Sequence, residues 1–171
     1  ADGPYSHAEG SVTTTTGAGS HAEGRNSKAY ADFSHAEGVG TIASGSQSHT
    51  EGSSTITYGP AAHAEGANTI ASSSYSHAEG NKTLTKGLGA HSEGILTTAS
   101  GDYSHAEGSG SIALGIASHA EGRGSTFTTA EYAHAEGRGI ASGSYSHAEG
   151  RGITYGDFSH AEGGNSIITA P

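Results

Sequence analysis

Small and polar residues alternate along this 171-residue chain in short runs, and most runs end at glycine. Ser34-His35-Ala36-Glu37-Gly38 is one run, and Thr41-Ile42-Ala43-Ser44-Gly45 is the next. Both read small-x-small-x-Gly. A period of two marks short strands whose successive side chains face opposite ways. The 3.6-residue period of a helix is absent, and glycine recurs too often to allow one. Glycine does not fall at every third position, which excludes a collagen-like chain. The glycine closing each run marks a turn, where a positive φ is open to it.

Two runs make one repeat, and the repeat covers the whole chain. Its first half carries His7, His21, His35, His49, His63, His77, His91, His105, His119, His134, His147 and His160. Each is followed two residues later by a glutamate: Glu9, Glu23, Glu37, Glu51, Glu65, Glu79, Glu93, Glu107, Glu121, Glu136, Glu149 and Glu162. A glycine follows each glutamate: Gly10, Gly24, Gly38, Gly52, Gly66, Gly80, Gly94, Gly108, Gly122, Gly137, Gly150 and Gly163. The histidines are 14 residues apart eight times, then 15, 13 and 13 apart. A repeat of this kind predicts a solenoid. Each half is a strand, two strands and two turns are a coil, and each strand pairs in parallel with its copy in the next coil. At ~4.8 Å per coil, twelve coils give a rod of roughly 55–60 Å. The extra residue is expected near Ser125–Tyr132, and the missing ones before Ile140 and Ile153. Residues 1–171 read as a single all-β solenoid domain. With no Met and no evident cap at either end, the chain reads as a segment of a longer fibre.

Alternation also assigns faces. Ser34 and Ala36 point together, and a coil closed by tight turns has room inside only for such residues. His35 and Glu37 therefore point out. In the second strand Thr41 and Ala43 point in, and Ile42 and Ser44 point out. The outward columns of the second strand vary. One runs Thr14, Lys28, Ile42, Ile56, Ile70, Leu84, Thr98, Ile112, Thr126, and the other ends at Leu114 and Thr128. The first-strand face is His and Glu in every coil, which reads as a subunit interface. In-register stacking puts glutamate over glutamate at ~4.8 Å, a repulsion of roughly 0.9 kcal/mol in bulk water, and a second copy that brings histidine beside glutamate relieves it. Aromatic residues precede the motif in seven coils (Tyr5, Phe33, Tyr75, Tyr103, Tyr132, Tyr145 and Phe158) and should stack at one corner.

Composition agrees with a narrow core. There are 29 glycines but only two Val, four Leu, ten Ile and three Phe, too few for an ordinary globular interior. There is no Cys, so neither a disulfide framework nor a thiolate metal site is available. No stretch is long and apolar enough to insert in a membrane. The formal charge of −10 argues against nucleic acid as a partner. Arg123, Arg138 and Arg151 gather late in the chain as a stripe that could meet an anionic surface polymer.

The 14-residue unit resembles the head repeats of trimeric autotransporter adhesins, the YadA-like heads. Ser-His-Ala-Glu-Gly corresponds to the first half of that repeat, and Thr97-Thr98-Ala99-Ser100-Gly101 to the second. The unit is also similar to repeats of phage tail-fibre proteins. The resemblance implies a left-handed parallel β-roll, a parallel homotrimer with the first strand at its interface, and an extracellular place on a cell surface or virion fibre. The family carries Val and Ile where this chain carries His and Glu, so the implied interface is ionic rather than apolar.

These readings converge on a structural or adhesive rod with no catalytic residues and no cofactor. It would partner itself, as a homotrimer or a filament, and an unknown surface receptor or glycan. A phage tail-fibre or receptor-binding segment is the alternative. Ion binding on the His/Glu face and ice or surface binding through Thr arrays are further alternatives. Ser-His-Ala-Glu holds the residue types of a hydrolase triad, but Ser6 and His7 face opposite sides of a strand.

Overall fold

The computed structural model describes residues 1–123 and 127–169, with Phe127 described by its backbone alone. The chain is an all-β parallel solenoid, with no helix among the described residues. None of it is therefore a helix long and apolar enough to cross a membrane. It falls into two compact units, Ala1–Thr85 and Lys86–Pro171.

The first unit stacks six coils. The long strands run from His7–Ser11 to His77–Asn81, and the two-residue strands from Thr14–Thr15 to Leu84–Thr85. Pairing is parallel and in register, so His7 lies opposite His21 and Glu9 opposite Glu23. The second unit also has six coils, from His91–Ser92 and Thr98–Ala99 to His160–Ala161 and Ile167–Ile168. Its motif strands shorten to two residues in the last two coils.

The interior holds only small side chains, as alternation requires. Ala22, Ala36, Ala64, Ala106 and Ala120 are fully buried, and the largest side chains with no exposure are all threonines. A buried methyl contributes about 0.8 kcal/mol, so each coil gains little from its core and leans on its backbone ladders. The motif serine is buried too. Ser20 Oγ donates to the Gly17 carbonyl at 2.7 Å, and Ser48 and Ser104 repeat that bond to Gly45 and Gly101. The hydroxyl closes a corner inside the coil, while the neighbouring histidine points the other way.

The two corners use glycine for different reasons. All twelve motif glycines have positive φ, as expected. Gly24, at φ 100°, also has no room: a Cβ there would lie 2.2 Å from the Gly38 carbonyl oxygen. The second-half glycines depart from expectation. Gly17 does not have a positive φ; a Cβ on it would lie 2.0 Å from the Ala31 oxygen. The left-handed residue at that corner falls two places later, on Gly19, Phe33 (57°), Gln47 (60°) or Tyr103 (58°).

One register assignment is corrected. Ser109 pairs with Arg123, but Ile112 pairs with Phe127 and Ala113 with Thr128. The offset therefore steps from 14 to 15 residues between Arg123 and Phe127. Residues 124–126, on which part of the expected insertion falls, lie outside the described residues. Thr128 is consequently buried rather than in an outward column. Phe127 takes the place expected for Thr126, because a one-residue slip exchanges the faces of a strand. The two deletions fall where expected: Phe127 pairs with Ile140 and Ile140 with Ile153, each 13 residues on.

Candidate functional site

The first-strand sheet carries the ladder. Strand alternation turns each His and Glu away from the buried alanine between them, and both are half-buried in most coils. In the first unit the imidazoles stack face to face. His21–His35, His35–His49, His49–His63 and His63–His77 have centroids 4.7–4.9 Å apart and planes within 9°. Only His7, in the first coil, turns edge-on to its neighbour, at 79°. In the second unit the stack from His91 to His160 holds the same 4.7–4.8 Å spacing.

Stacking shuts each Nε2 between the rings above and below. The exposed His7 Nε2 donates to Glu9 Oε2 at 3.2 Å. Deeper in the ladders the Nε2 atoms of His21, His35, His49, His63, His105, His119, His134 and His147 are buried and make no hydrogen bond. Where a carboxylate of the same coil is near, it stands off: His21–Glu23 is 3.9 Å, His35–Glu37 3.7 Å and His63–Glu65 3.9 Å. His119 differs, with Glu107 Oε1 and Glu121 Oε2 each at 3.8 Å from its Nε2.

The electrostatics follow from the stacking. Burial, then the charge of the adjoining rings, holds His35, His49, His63, His119 and His147 below the usual imidazole range. Neighbouring carboxyls share protons. The Glu51 carboxyl is pushed up to about 6 by its hydrogen bond to Glu65, by burial and by Glu37. Glu107 is pushed up to about 7 by its bonds to Glu121 and Glu93. Glu65 and Glu121, on the accepting side of those bonds, are held down. A column of like groups thus sheds charge where it can.

The second-strand sheet carries no such ladder. Its half-buried column runs Thr14, Lys28, Ile42, Ile56, Ile70, Leu84 in the first unit. In the second unit Ile112, Ile140, Ile153 and Ile167 share a column with Phe127. Reading the sequence at a constant 14 residues missed this continuation beyond the insertion. Of the Thr arrays considered for ice binding, Thr13/Thr15, Thr55/Thr57 and Thr83/Thr85, all but the half-buried Thr13 are buried inside the coil.

Aromatics at the other corner stack only where consecutive coils carry them, Tyr132–Tyr145 at 4.9 Å and Tyr145–Phe158 at 5.1 Å. Phe33 and Tyr103 instead lie over a glycine of the preceding coil, Gly19 and Gly89. In the second unit the shortened turns open a groove of about 490 Å³ lined by Arg123, Gly137, Arg138, Gly150, Arg151, Gly163 and Gly164. All three arginines are exposed. No protein-family model matches this chain, and no curated protein matches it.

Proposed function

We propose that this chain is a structural rod of an extracellular fibre, a cell-surface adhesin or a virion fibre, that assembles with copies of itself through the His/Glu face. The observation that carries this is the buried column of Nε2 atoms that make no hydrogen bond. A buried polar atom left unpaired costs about 1–3 kcal/mol, and the cost recurs in coil after coil. A second copy laid against the ladder supplies partners to the crowded carboxylates and to imidazoles that turn out of the stack to meet it. A core no bulkier than threonine adds the second motive, because a coil with so little interior gains most of its stability by burying an outer face. Cyclic symmetry brings the same face of each copy to one axis. The likeness to trimeric adhesin heads makes three the expected number, with the roll left-handed.

Contact with a surface is assigned to the arginine groove. Three guanidiniums in successive coils, exposed above glycine turns in a chain of charge −10, suit an anionic polysaccharide. The adhesive reading leaves no role for catalysis: Ser20 is turned inward and bonded to Gly17.

Native mass spectrometry at pH 7.5, with and without chelator, tests the assembly. Three 16.9-kDa chains give about 51 kDa. A single-chain mass at micromolar concentration overturns the proposal.

A further inference from the structure

The ladder has a second property that does not depend on a neighbouring chain. His119 Nε2 sits between two carboxylate oxygens from successive coils, Glu107 Oε1 and Glu121 Oε2, at 3.8 Å each. His134 belongs to the same cluster: one donor atom each from His119, Glu121 and His134 lie within 4.8 Å of one another. His119 Nε2 is buried and makes no hydrogen bond. Parallel pairing holds Glu107 opposite Glu121 and His119 opposite His134, so the cluster is built by backbone register and not by a flexible loop.

We infer that Glu107, His119 and Glu121, with His134 in reach, form a binding site for a borderline divalent transition-metal cation of the zinc type. The donor set is imidazole nitrogen and carboxylate oxygen, which suits zinc, nickel and copper over calcium or magnesium. Zinc bonds to such atoms are about 2.0–2.2 Å long, so two bonds at a tetrahedral angle need donors about 3.4 Å apart. The 3.8 Å separations close to that value by small rotations of the half-buried glutamate ends. The parallel rings of His119 and His134 stand 4.8 Å apart, too far to share one ion as they stand. His119 is therefore the first nitrogen ligand, and His134 joins only by turning. A cation here also pairs an orphaned Nε2 and neutralises two carboxylates that register forces together. All of these ligands come from one chain. The ion is held whether or not the rod self-associates, and it goes beyond that proposal.

The test is competition of the full chain against a zinc-binding indicator dye at pH 7.5, with retained zinc measured after dialysis. Cobalt is substituted in parallel to report ligand geometry by its visible absorption. The wild-type chain is expected to take up zinc at low micromolar levels or tighter. Glu107→Gln with Glu121→Gln, which keeps all twelve histidines, is expected to weaken the first equivalent by at least tenfold. His119→Gln is expected to do the same, with an unchanged far-ultraviolet circular dichroism spectrum in both. Failure to retain zinc overturns the inference. So does full affinity in the double glutamate variant, which would place the first ion at another His/Glu cluster of the ladder, such as His35, Glu37 and His49. If a variant loses its spectrum, Glu121→Asp, which keeps the carboxylate one methylene short, provides the comparison: unchanged affinity there overturns the site. Native masses on the same samples separate this result from the fate of the self-association proposal.

Discussion

The two outward faces of the solenoid share one backbone plan and differ in everything else. Both flank the same interior of Ala, Ser and Thr, and both pair in parallel, in register, coil on coil. The second face accepts Thr14, Lys28 and Ile42 in successive coils without disturbing that register. The coil therefore does not dictate what stands outside it. On the first face His and Glu stand in every coil, at the cost of stacked like groups and buried Nε2 atoms. The difference teaches that the coil itself does not require the ladder, and the proposed self-association and ion site each give it a role.

The sharpest way to break this comparison is to transplant one face onto the other. Replacing His35, Glu37, His49 and Glu51 by threonine is expected to lower the native mass from three chains toward one. The same number of threonines at Ile42, Ile56, Ile70 and Leu84 is expected to leave the mass unchanged. Equal losses would mean that the ladder is not the interface.

Changes inside the coil should be severe on either side, since both faces rest on the same turns. Gly24→Ala puts a methyl against the Gly38 carbonyl at φ 100°. It should cost several kcal/mol, above the ~1–2 kcal/mol of a left-handed residue alone. Denaturant midpoints measure it, and a cost below about 1 kcal/mol would show that the coil can shift to accommodate a methyl.

Acid should act on the first face alone. In the first unit His35, His49 and His63 resist protonation in the fold. The unfolded chain takes up those protons as pH falls through about 6.5, so the stability of the neutral rings is lost below that pH. Glu51 works against this, because its folded carboxyl keeps a proton to about 6 and its contribution fades as pH rises. The three rings face Glu23, Glu37, Glu65, His21 and His77, and they outnumber the one raised carboxyl. Melting in chelator should therefore come at a lower temperature at pH 5 than at pH 7. A flat or reversed profile would separate ring burial from stability. The smallest effect expected is Ile42→Thr, within about 0.5 kcal/mol by the same denaturant midpoint.

Much of this was legible in the sequence. The strand period, the coil, the inward small residues and the shared face of His and Glu all follow from alternation and spacing. Stacking of successive imidazoles near 4.8 Å follows from parallel register. Three things were not legible. Thr128 lies inside the coil rather than in an outward column because a single inserted residue can be absorbed at more than one point of the chain. Gly17 reads as a positive-φ position, but its place is held by the approach of the next coil's carbonyl, which local sequence does not show. The convergence of Glu107 and Glu121 on His119, rather than the same-coil pairing seen at His21, depends on side-chain angles.

In-register pairing has a last consequence, for heredity rather than for stability. Each coil within a unit shows its neighbour the surface it was itself shown, so a duplication or loss of 14 codons leaves every junction familiar. Unequal recombination can then lengthen or shorten a solenoid unit by one ~4.8 Å step at a time, and length becomes a countable trait. Changes that are not whole multiples of 14 must be absorbed between strands, as the one-residue losses are before Ile140 and Ile153. Such a gene is a ruler whose graduations can be added or erased.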